Sequence, residues 1–142
     1  MQDAQHIYWV DGSAIARANL DGSGVDESFI SLPGSFISAI AVDSGHVYWV
    51  TSTDVIGRAN LDGSWVDPSF LSIKPASGPD APTGLVVHGQ FVYWSLLSTD
   101  MIGRANVDGS GLDPSFITVQ VPGCTPTAVC QDRAGSVSGV VL

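Results

Sequence analysis

Apolar and polar positions alternate in short stretches along the chain, and the stretches recur. Ile7 to Val10, Val47 to Val50 and Phe91 to Trp94 are aromatic and β-branched, the material of strands. The next stretch sets Ile15, Arg17 and Asn19 on one side and Ala16, Ala18 and Leu20 on the other. That is a period of two, which predicts a second strand. Asp21-Gly22, Asp62-Gly63 and Asp108-Gly109 follow, and Asp-Gly predicts a hairpin because Gly tolerates the positive φ of a tight turn. Ser28 to Leu32 and its copies read as a third strand. A fourth lies around Ser38 to Val42 and Gly84 to Val87.

These strands belong to three copies of one unit. Tyr8-Trp9, Tyr48-Trp49 and Tyr93-Trp94 use every tyrosine in the chain. Each pair is followed by a stretch such as Ile56-Gly57-Arg58-Ala59-Asn60-Leu61-Asp62-Gly63-Ser64, and then by Ser-Phe-Ile or Ser-Phe-Leu. Arg17, Arg58 and Arg104 each precede a Phe by 12 residues, and the unit recurs after 41 and then 46 residues. A Pro/Gly-rich insertion from Lys74 to Pro82 accounts for the longer period and reads as a loop. Residues 1–142 thus form one domain with repeats at about 6–45, 46–90 and 91–135. Four short strands per ~40–45 residues is the signature of a propeller blade.

Composition agrees with an all-β chain. Charged residues are 13% of the 142, with one glutamate (Glu27) and one lysine (Lys74), so the usual material of surface helices is missing. Hydrophobic residues at 44% supply a core. A net charge of −9 argues against nucleic acid or an anionic membrane as partner. No apolar run approaches the ~18–20 residues of a membrane span, and residues after Met1 carry no signal-peptide pattern.

At the repeated residues (Tyr-Trp, Ile-x-Arg-Ala-Asn-Leu-Asp-Gly-Ser and Ser-Phe-Ile) the chain resembles the YWTD, or class B, repeats of the low-density-lipoprotein-receptor family, especially their bacterial relatives. The resemblance covers roughly residues 6–121. It implies a six-bladed β-propeller in which the Tyr-Trp strand is second from the central axis. The Asp that ends the family motif stands only at Asp11, with Thr51 and Leu96 in its place elsewhere. The resemblance therefore implies a fold and carries over no receptor ligand.

Candidate chemistry is sparse. Arg17, Arg58 and Arg104 read either as a ring of guanidinium groups around an anion or as one structural contact per blade, to carbonyls or a neighbouring Asp. Repetition in every unit favours the contact. The pairs Asp21/Asp26, Asp62/Asp67 and Asp108/Asp113 read as turn chemistry, with the second Asp bonding backbone near Pro68 or Pro114. They lack the dense carboxylate loop of a calcium site, so no metal or cofactor is expected. His6 and His46 give way to Phe91 in the third unit and read as packing residues at strand starts. His88 stands where Asp43 does and reads as a candidate base or binding residue, with no nucleophile motif beside it. Trp65 replaces Gly24 and Gly111, and reads as an exposed binding anchor or as the cap of a hydrophobic edge. Cys124 and Cys130 are too far apart for Cys-x-x-Cys. They suggest a local disulfide and hence an extracytoplasmic or secreted protein.

The expected function is a non-enzymatic scaffold or binding module, since no acid–base pair, nucleophile or phosphate loop interrupts the units. The alternative is a sugar-binding or other ligand-binding protein, or a lyase-like enzyme, with its site at the mouth of a central channel. The chain opens just after an inner strand, and Thr125 to Cys130 resembles the start of a fourth unit. Three blades cannot close a channel, so two copies are expected to exchange that strand and close a six-bladed homodimer. A filament is the alternative if the rotation per chain misses a half turn.

Overall fold

The computed structural model describes residues 3, 5–74, 80 and 82–119. Within them every element is a strand. β1 (His6–Asp11), β2 (Ala14–Asn19) and β3 (Asp26–Ser31) form the first antiparallel sheet. β4 (Ile37–Val42), β5 (His46–Thr51), β6 (Val55–Asn60) and β7 (Asp67–Ser72) form the second. The third holds β8 (Pro82–His88), β9 (Phe91–Leu96), β10 (Met101–Asn106) and β11 (Asp113–Thr118). Strands neighbour one another in chain order within each sheet.

Three four-stranded blades are thus, among the described residues, two four-stranded sheets and one of three strands. The difference is at β1, which pairs only with β2, whereas β5 and β9 also pair with the inner strands β4 and β8. The sequence unit is also out of step with the sheet. The last strand of the first and second units crosses to the next sheet, so β4 pairs with β5 and not with β3, and β8 with β9.

Sheets stack face to face, and this explains the adjacent Tyr and Trp. Successive residues of a strand point to opposite faces. In β5, Val47 and Trp49 pack backward on the first sheet with Tyr8, Ile15 and Ile30. Tyr48 and Val50 pack forward with Trp94, Val92 and Leu85 of the third sheet. All four β5 residues are fully buried. A central sheet covered on both faces needs a continuous apolar run rather than an alternating one.

The middle strand supplies a seat for the indole. Trp49 pairs across the strands with Gly57, and Trp94 with Gly103. A Cβ built on Gly57 would lie 2.2 Å from the Trp49 ring, and one on Gly103 2.3 Å from the Trp94 ring. The indole therefore lies flat across bare backbone. In the first sheet the partner of Trp9 is Ala16 and not glycine, and Trp9, on the outer face of that sheet, is only partly buried.

The Asp-Gly pairs do not close two-residue hairpins. The loop spans residues 20–25, and its equivalents span 61–66 and 107–112. Asn19 N–H donates to Ser23 O (2.9 Å), Gly22 N–H donates to Asn19 O (2.9 Å), and Asp21 accepts from both Ser23 N–H and Ser23 Oγ. The Asx bond widens the turn while Gly22, at φ +83°, supplies the reversal.

Candidate functional site

The repeated arginines stand at the joints between sheets. Arg17 Nη1 donates to Leu61 O at 2.8 Å, and Arg58 Nη1 donates to Val107 O at 2.8 Å. Each acceptor lies in the loop after the matching strand of the following sheet. Each guanidinium also covers a ring of its own sheet, 4.0 Å from the Phe29 centroid and 4.2 Å from that of Phe70. Those rings reach the next loop as well: a Cβ on Gly63 would lie 2.9 Å from Phe29, and one on Gly109 3.3 Å from Phe70. Both joints have the same parts. The cross-strand partners of Arg17, Arg58 and Arg104 are Asp26, Asp67 and Asp113. Their carboxylates turn to the amides of Ser28, Ser69 and Ser115 at 3.1–3.2 Å instead. Arg104 lies 4.0 Å over Phe116 and 4.8 Å from Phe91, and makes no hydrogen bond to any described residue.

Beside each of the first two joints stands an Asp–Tyr staple that was not evident from the sequence. Asp3 Oδ1 accepts from Gln5 N–H and His6 N–H at 2.6 Å, and its Oδ2 accepts from Tyr8 OH at 2.8 Å. Asp43 repeats this with Gly45, His46 and Tyr48. Burial works against the Asp3 charge, but these donors outweigh it and hold its carboxyl at about 2. Burial and the Asp3 carboxylate push Tyr8 up to about 12, so it remains a donor. Burial and Asp43 raise Tyr48 in the same way. The signal in the sequence is an Asp five residues before Tyr in two units. His88 breaks it in the third: it is exposed at the end of β8. His6 and His46 begin β1 and β5 with their rings about 6 Å from Tyr8 and Tyr48.

Two open grooves flank the joints at this end of the sheets. One of about 520 Å³ runs between the first two sheets and is lined by His6, Arg17, Ser44 and Asp62. The other, about 340 Å³, is lined by His46, Arg58, Asn60, Asp67 and Trp65. Trp65 is 87% exposed and sits at φ +53°, a left-handed position that Gly24 and Gly111 hold at +62° and +63°. A Cβ at those glycines would crowd the Asn19 and Asn106 side chains at 2.8–2.9 Å. Trp65 thus strains the loop and buries almost nothing. Trp65→Gly is expected to raise stability by about 1 kcal/mol, because Gly takes this φ freely and no packing is lost. Thermal unfolding checks it, and an unchanged or lower midpoint counts against the strain.

At the opposite end Asp54 and Asp80 are buried. Asp80 accepts from Ser98 N–H, Thr99 N–H and Thr99 Oγ1, which together outweigh its burial and lower its carboxyl. Burial raises Asp54, whose Oδ1 has no partner. No group of three metal-ligating side chains occurs among the described residues. Cys124 and Cys130 lie outside the described residues.

No protein family matches the chain, and no curated protein does. Solved structures do. A chain from a crystal structure of a nidogen/laminin complex superposes with a TM-score of 0.60 at 23% identity, over 77% of this chain. The match spans 43% of that chain, so the sequence covers less than half of its length. The fold is propeller-like. The three sheets are accordingly blades, with β4 and β8 as inner strands packed against each other. No helix among the described residues is long and apolar enough to cross a membrane.

Proposed function

We propose that the chain is a non-enzymatic binding scaffold of the YWTD-repeat type, half of a six-bladed propeller that a second copy completes. The observation that supports this reading is the joint made twice with the same parts: a guanidinium on a carbonyl of the next blade and a phenylalanine on its glycine. Side chains that recur in step are spent on holding blades together, as in other repeat arrays where each unit contacts its neighbours. The likeness to a protein seen in complex with another protein favours protein partners, and the pair Cys124 and Cys130 in the sequence favours an extracytoplasmic setting. Among the described residues the far edge of β1 is unpaired, where the other two blades carry an inner strand. Thr125 to Val129, outside the described residues, is the segment whose sequence suits that edge, and its exchange between copies closes the ring and covers the inner edge of the first blade.

The test is mass in solution. Light scattering after gel filtration should give twice the 14.8 kDa of one chain, and deleting residues after Gly123 should abolish the pair. A folded chain of single mass overturns the reading, and a mass that climbs with concentration replaces the ring by a filament.

A further inference from the structure

The two outer faces of the three-blade array carry the parts of a joint that neither uses among the described residues. On the third blade, Arg104 covers Phe116 just as Arg17 and Arg58 cover Phe29 and Phe70, yet its hydrogen-bonding nitrogens meet no described carbonyl. Ile117 and Val119 beside it are 44% and 43% exposed, whereas their counterparts at the internal joint, Leu71 and Ile73, are 7% and 0% exposed. On the first blade the loop that should receive such a face stands open. Leu20 matches Leu61 and Val107, whose carbonyls accept from Arg17 and Arg58. Its side chain is 53% exposed, while that of Leu61 packs on the core of the first joint. Gly22 matches Gly63 and Gly109, which seat the phenylalanines, and a Cβ built on it would meet nothing within 4 Å. Ile7 and Trp9, equivalent to the fully buried Val47 and Trp49, complete the exposed surface.

We infer that these faces are the two halves of a third joint, made between copies of this chain. Arg104 of one copy donates to the Leu20 carbonyl of the other, and Phe116 lies on the other's Gly22. The inference rests on the two-copy ring and adds to it the residues of the seam. Its occupant follows from continuity: the internal joints fix the chemistry that each face accepts, and each face of this chain supplies what the other lacks. The interface is head to tail, so two copies make it twice and leave no face over. An apolar surface of this kind, with one desolvated arginine at its centre, has the usual composition of an energetic hot spot.

The experiment compares the full chain with an Arg104→Ala/Phe116→Ala variant by sedimentation across a concentration series. Near-UV circular dichroism of the Trp49 and Trp94 seats checks that each protein is folded. The full chain should sediment as two copies, and the folded variant should associate at least about 100-fold more weakly. Leu20→Asp, on the opposite face, should weaken association to a similar degree. Mixing the two variants should restore part of it, because one seam of the mixed pair is then native. A variant that pairs as tightly as the full chain overturns the seam while leaving the ring to other contacts. A full chain that is folded and single overturns both. Failure of the mixture to recover any association overturns the pairing of these two faces.

Discussion

Alanine at Gly57 or Gly103 is expected to destabilise the protein by about 3 kcal/mol, at the upper end of what overpacking a core costs. The effect should not come from the backbone. Neither glycine has a positive φ, and alanine in a strand would ordinarily be the better residue by about 0.5–1 kcal/mol. It comes from the indole. The new methyl would lie 2.2 Å from Trp49 Cε2 or 2.3 Å from Trp94 Cε2, far inside van der Waals contact. Both rings are fully buried between two blades, and their Nε1 groups have no hydrogen-bond partner, so packing alone holds them. Moving either ring opens a cavity at a joint and disturbs the neighbouring core at the same time. The first blade is the internal control. Ala16 already stands opposite Trp9 there, and Trp9 is only partly buried, so Ala16→Gly should change stability by less than about 1 kcal/mol. Chemical unfolding followed by tryptophan fluorescence separates these cases. A loss under 1 kcal/mol at Gly57 would show that the indole can slide aside.

The strands were legible in the sequence because their period and residue types agree: the boundaries from Tyr-Trp, the alternating stretch and Ser-Phe-Ile all fall within one or two residues of β1, β2, β3 and their copies. What the sequence hides is everything that depends on two blades meeting. Ile56-Gly57-Arg58 reads as a strand with a weak residue in it, and only the neighbouring ring shows why glycine stands there. A glycine inside a strand pattern is itself a sign of close approach, and its absence in the first unit, at Ala16, marks the blade whose Trp is not covered. The Asp-Gly hairpins are present with glycine at positive φ, but their length was not legible, for a local reason. Asp-Gly suggests the shortest hairpin, but Ser two residues after the Asp gives that carboxylate an Asx bond, and the turn widens. Asp3 and Asp43 were missed because their partner, Tyr OH, lies five residues on and across a turn. The candidate site was less legible than the fold for the same reason: Arg17, Arg58 and Arg104 stand in nearly the same sequence context, and only packing order separates the two that reach a carbonyl from the one that meets none among the described residues.

That difference makes Arg58 and Arg104 a matched pair. Arg58→Ala should cost about 3 kcal/mol. It removes a charge-assisted hydrogen bond to Val107 O, for which about 1.5–3 kcal/mol is usual, and a guanidinium stacked on Phe70, for which about 0.5–1 kcal/mol is usual. It also leaves the Val107 carbonyl without the donor that the joint provides. Lysine should recover little, since a point charge on a flexible stem does not lie flat on a ring while donating sideways to a carbonyl. Among the described residues Arg104→Ala removes only the stacking on Phe116 and the longer contact with Phe91, so in a single copy it should cost less than about 1 kcal/mol. If Arg104 also donates across the seam, the two variants respond differently to protein concentration. The Arg58→Ala deficit is the same at every concentration, because its joint is internal. The Arg104→Ala deficit grows as concentration rises, because the unaltered chain gains stability by pairing and the variant does not. Thermal unfolding of the three proteins over a hundredfold range of concentration reads this directly. Parallel midpoints for the unaltered chain and Arg104→Ala would remove Arg104 from the seam, and an Arg58→Ala loss below 1 kcal/mol would remove the guanidinium from its place as the bond between blades.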